Sequence, residues 1–161
     1  MTDTVALLKE FYADKLAALE RHIAGARFIG DYDANNTYQY VINREETQLS
    51  WVGQAIVGLG GEVATATPVA SREGGKGADV ARRIADEDAR DAHAFLERWA
   101  PRVEAMDNAR QRGMLRIILG ETQEQKRFFE QAAAGNQNLL GIRTPAAGPR
   151  VGSVLADRWI E

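Results

Sequence analysis

Residues 36–52 read NTYQYVINREETQLSWV, and the placing of one acid in this run decides what kind of protein the chain makes. Val41, Leu49, Val52 and Ile56 recur at three-, four- and seven-residue intervals, which is the period of an amphipathic helix with one apolar face. Glu45 stands in the middle of that face, four residues after Val41, three after Ile42 and four before Leu49. Burying a carboxylate is costly unless a cation or several hydrogen-bond donors meet it. The run therefore predicts a helical protein whose interior holds charge.

The pattern repeats along the chain. In ILGETQEQKRFFEQA, residues 118–132, Glu121 follows Met114, Ile117 and Ile118 and precedes Phe128 by seven residues. Gln48 and Glu124 lie three residues beyond Glu45 and Glu121, on the same faces. Asp88 and Asp91 fall between Ile84 and Phe95 on their stripe, with Glu87 at its edge, and Glu20 falls between Leu16 and Ile23.

The prolines, Pro68, Pro101, Pro145 and Pro149, separate long stretches rich in Ala, Leu, Glu, Arg and Gln, which favour helix. A first helix is expected over Thr4–Ala26, with Leu8, Phe11, Tyr12, Leu16, Leu19 and Ile23 inward, and a polar joint at Asp31–Asn36. A second runs over Ala34–Leu59, its stripe ending at Leu59, and stops at Gly60 and Gly61. A third spans Ala78–Ala100, with Val80, Ile84, Phe95, Leu96 and Trp99 apolar, and Pro101 breaks it or opens one extra turn. The fourth, capped by Asp107 or Asn108, reaches Ala134 with Met114, Ile117, Ile118, Leu119, Phe128 and Phe129 inward.

The expected fold class is all-α: a four-helix bundle over residues 1–135, followed by a Pro/Gly-containing C-terminal tail over 136–161. The outer loops are short, so helices one and two, and three and four, form antiparallel hairpins. The middle connection, GEVATATPVASREGGKG, has about 17 residues and can reach about 55 Å, enough to travel the bundle as a long crossover.

Composition narrows the function. Of 161 residues 45% are hydrophobic and 27% charged, and 20 Lys and Arg against 23 Asp and Glu give a formal charge of -3, so no overall basic field draws in nucleic acid. The absence of cysteine excludes disulfides, thiolate metal sites and cysteine nucleophiles. Charges interrupt every apolar run, which argues against a membrane span, and the polar start lacks the pattern of a secretory leader, so a cytoplasmic setting is expected. No Ser, His and acid stand in a triad order.

Four helices thus each offer a carboxylate to the interior. Two divalent ions would neutralise such a cluster, and an oxygen-rich donor set suits iron or manganese. The other solution is a structural network with Arg44, Arg83, Arg90, Arg116 or Arg127.

In the two quoted runs the chain resembles the ferritin-like superfamily, the helical carboxylate proteins that include rubrerythrins and bacterioferritins; the resemblance covers residues 4–134. In that family two helices carry a Glu followed three residues later by a His, and the other two supply one Glu each. The resemblance puts Glu45 and Glu121 at the paired Glu positions, Glu20 and Glu87 or Asp88 at the single ones, and Gln48 and Glu124 where the family has His. With Asp91 from the stripe, the candidate metal ligands are Glu20, Glu45, Gln48, Glu87, Asp88, Asp91, Glu121 and Glu124. The resemblance implies a metal-binding protein handling iron or a similar cation, in oxidation, storage or peroxide chemistry; whether it is an enzyme stays open. The alternative is a metal-free ferritin-like protein with a structural or stress-related interaction role.

His22 and His93 lack a second His at ligand spacing and read as ordinary, partly exposed residues, His93 being the better ligand candidate because acids crowd its turn. A homodimer is expected, the commonest oligomer of such bundles. PRVGSVL, residues 149–155, resembles the short tails that carry ferritin-like cargo into encapsulin shells; the other reading docks the tail on the bundle or a neighbouring subunit through Leu155, Trp159 and Ile160.

Overall fold

A computed structural model describes residues 3–64 and 71–136, and the tail beyond Asn136, with the expectations placed on it, lies outside them. The described residues form four helices and no strand: α1 Thr4–Ala26, α2 Tyr32–Gly58, α3 Ala78–Glu104 and α4 Ala109–Ala133. None of these helices is long and apolar enough to cross a membrane.

Local chemistry sets the ends. Asp3, Asp31 and Asn108 each turn a side-chain oxygen back to a first-turn amide, satisfying donors that an open helix end leaves free. Because Asp31 caps α2, the helix begins at Tyr32 and absorbs the expected polar joint. At the other ends, Gly60 (φ 84°) and Gly135 (φ 87°) take the left-handed conformation. The next amides, of Gly61 and Asn136, reach back to the carbonyls of Ile56 and Gln131, closing α2 and α4 by the same motif. Pro101 does not end α3. The helix continues a further turn to Glu104, with Trp99 and Val103 fully buried on either side of the proline.

Side-chain pairs give the helix directions. Glu10 meets Arg102, Asp14 meets Arg98, Arg21 meets Asp91, and His22 faces Asp88, so α1 and α3 are antiparallel. Arg44 meets Glu121 and Tyr40 packs on Phe128, so α2 and α4 are antiparallel as well. Backbone contacts join α1 to α2 and α3, and α4 to α3 and α2, leaving α1 across from α4 and α2 across from α3 on the diagonals. Val63 lies beside Tyr12 and Gly53, whereas Arg72 reaches the carbonyl of Arg21 near the far end of α1.

Two apolar layers fill the bundle. One contains Phe11, Val52, Ile56, Trp99, Leu115 and Ile118; the other contains Tyr38, Val41, Ile84, Phe128 and Phe129. The apolar stripes run mostly as expected, but Ile23, Leu59 and Ile117 are exposed, at 46%, 41% and 58%. On α1 the inward face is rotated toward Lys15, Ala18 and His22, which takes Ile23 to the outside.

Phe11 is fully buried and meets the rings of Phe95 and Trp99 edge-on, at centroid separations of 5.4 and 5.0 Å. Phe11→Ala is expected to cost about 3–5 kcal/mol of unfolding free energy, read from the urea midpoint at unchanged m-value.

Candidate functional site

Lys15 and His22 lie seven residues apart on α1 and so share a face two turns apart; both are buried. Tyr38, Glu45 and Gln48 form the facing row on α2, Asp88 comes from α3 and Thr122 from α4. Glu45 and Asp88 are both 0% exposed, and Lys15 is 1% exposed.

The contacts form a chain through the bundle. Thr122 Oγ1 donates to the carbonyl of Ile118 and accepts from Lys15 Nζ at 3.1 Å. Lys15 Nζ lies 3.6 Å from Glu45 Oε1, and His22 Nδ1 lies 2.9 Å from Glu45 Oε2. An ionised carboxylate can only accept, so Nδ1 carries the proton in that contact. His22 Nε2 faces Asp88 Oδ1 at 3.9 Å, and the Tyr38 hydroxyl donates to Asp88 Oδ2 at 2.6 Å. Arg72, from the segment before α3, donates to Asp88 Oδ1 at 2.8 Å, to Glu87 Oε2 at 3.0 Å and to the carbonyls of Arg21 and Ile84. Both diagonals are thereby bridged by polar side chains: α1 to α4 by Lys15–Thr122, and α2 to α3 by Tyr38–Asp88.

Burial and neighbours pull these groups in opposite directions. Burial lowers the Lys15 ammonium below its ordinary 10.5, opposed chiefly by the attraction of Glu45. Burial would raise Glu45, but His22 and Lys15 together outweigh it and hold the carboxyl below its ordinary 4.5. At Asp88 burial prevails over His22, Tyr38 and Arg72, and the carboxyl stays above its ordinary 3.8. Burial, with Asp88 beside it, pushes the Tyr38 phenol well above its ordinary 10.0.

The expected ligand set is only partly gathered. Glu45 and Asp88 reach the interior, linked through His22. Gln48 is buried but turns its amide to Glu121, whose other oxygen accepts from Arg44 at 2.5 Å, so Glu121 is held at the half-buried edge. Glu87 is bound by Arg72 and Arg83, Asp91 by Arg21, and Glu124 stands exposed near Arg127. Glu20 borders a surface groove beside Arg27 and Phe28. His93 is exposed, whereas His22, expected to be partly exposed, is 4% exposed and central. The signal for Lys15 was present in the sequence: it stands four residues after Phe11 and four before Leu19, on the apolar face of its helix.

Among the described residues no group of three or more His, Asp or Glu side chains is arranged to hold a metal ion. A two-metal centre needs carboxylates from all four helices around one interior point. Here Lys15, His22 and Arg72 stand against the two acids that reach it, so the residues do not fit that centre. Comparison with family models, with curated proteins and with solved structures gives no match.

Because Glu45 is held below 4.5, its ionised form supports the fold above that pH, and the support is lost as the pH falls toward the folded value. Glu45→Gln removes it and leaves Lys15 buried without its counter-charge. The variant is expected to lose about 3–5 kcal/mol near neutral pH, with the gap to wild type narrowing below 4.5, as followed by urea unfolding across pH.

Proposed function

We propose that the chain is a ferritin-like bundle whose interior acids are neutralised by its own Lys15 and Arg72, with His22 hydrogen-bonded between them, and that it serves as a metal-free structural or stress-related interaction protein. The observation that carries this reading is the Lys15 ammonium 3.6 Å from Glu45 Oε1, with both side chains at 1% exposure. A buried carboxylate needs one compensating cation, and a lysine fixed against it supplies the charge a metal would otherwise bring.

The helix directions support the ferritin-like connectivity. Tyr12 against Gly53 and His22 beside Tyr38 run α1 opposite to α2, and α1 is antiparallel to α3 as well, so α2 and α3 point the same way, which favours a link that travels the bundle. Val63 beside Tyr12 and Arg72 beside Arg21 support a link that runs along α1. In this reading the protein acts through surfaces rather than through chemistry at its centre. The expected homodimer, the cytoplasmic setting and the tail as a targeting or docking element belong to the same reading.

Iron loading is the test. Protein purified without a histidine tag is expected to carry no stoichiometric iron or manganese by mass spectrometry, and to take up none on aerobic incubation with ferrous iron. About two irons per chain with a near-ultraviolet oxo-bridge band, lost in Glu45→Leu, would instead establish the metal-handling reading.

A further inference from the structure

A cavity of about 20 Å³ lies in the seam between α1, α3 and α4, beside the Lys15–Glu45 pair. Thr122 and Gln125 add polar groups to its wall, and the Arg21–Asp91 ion pair, at 3.1 Å, lies on its outer side. One water molecule needs about 10–15 Å³ of such space and two or more polar partners. The partners are there. Glu45 Oε1 is fully buried and accepts no hydrogen bond among the described residues. Lys15 has three N–H groups, of which Thr122 takes one, and at 3.6 Å the approach to Glu45 is too long for a direct hydrogen bond. A polar gap of that length between a donor and an orphaned acceptor, with a cavity beside it, is what a bridging water fills.

We propose that this cavity is a binding site for a single water molecule that accepts from Lys15 Nζ and donates to Glu45 Oε1. The proposal rests on the reading that Lys15, rather than a metal ion, neutralises Glu45. The water completes the hydrogen bonding of the pair and makes the polar chain continuous from Thr122 to His22. It also gives the cavity the opposite response to filling from an apolar void: adding a methyl group displaces a bonded water instead of occupying empty space.

Ala92 lines the same cavity, so the chain and its Ala92→Val variant are compared by water oxygen-17 relaxation dispersion, crystallography and thermal unfolding. In the wild type, electron density within hydrogen-bond distance of both Lys15 Nζ and Glu45 Oε1 is expected, with a long-lived water in the relaxation data. In Ala92→Val both disappear, and the chain melts at a lower temperature. An empty wild-type cavity overturns the proposal, as does a variant that keeps the relaxation amplitude or melts higher. Should the variant not fold, the wild-type density and relaxation decide alone. Density with an anomalous metal signal and several ligands at coordination distance would overturn the reading of Lys15 as well, whereas a dry cavity leaves that reading standing.

Discussion

Two fully buried carboxylates, Glu45 and Asp88, constrain the whole bundle, because neither can remain ionised in an apolar interior without cations held against it. The chain meets this with three side chains from two segments. Lys15 and His22 come from the neighbouring helix to Glu45, and Arg72 comes from the connection before α3 to Asp88. Arg72 is therefore more than a surface partner. With a side chain only 8% exposed, it also satisfies the carbonyls of Arg21 and Ile84, tying that connection to α1 and α3 at once.

The polar groups are set within an otherwise apolar stack. The Phe11–Trp99 layer and the Tyr38–Phe129 layer supply the favourable burial, which is non-directional and tolerates sliding of one helix pair against the other. Hydrogen bonds and ion pairs do not tolerate it. Lys15–Thr122 and Tyr38–Asp88 join helices whose backbones stand on the diagonals, so a shift of either hairpin breaks contacts in the interior. The buried charges thereby fix the register of the two hairpins, at a cost in stability relative to an apolar core.

The helices were legible because their signals are local. A capping side chain at Asn108, glycines after α2 and α4, and a regular apolar stripe on each helix give boundaries within a few residues of those observed. Pro101 was harder, since the burial of Trp99 and Val103 that carries α3 past it is a tertiary effect. The interior acids Glu45 and Asp88 were also readable from their stripes. Glu20, Asp91 and Glu124 were not separable from them, because a helical period places a residue on a face only to within about a turn. The cations were missed for a different reason: Lys15 occupies the apolar stripe as plainly as Glu45 does, but its partner is remote in sequence. Arg72, in a segment without any period, left no local sign of its role.

A double-mutant cycle on Lys15 and Glu45, with Lys15→Met, Glu45→Leu and the pair compared by urea unfolding, measures how far the two groups depend on each other. If the ammonium neutralises the carboxylate, each single variant loses about 3–5 kcal/mol and the double variant regains most of that, reaching wild-type stability or exceeding it. Single costs that simply add in the double variant would show that the two groups do not depend on each other, and that Lys15 does not neutralise Glu45.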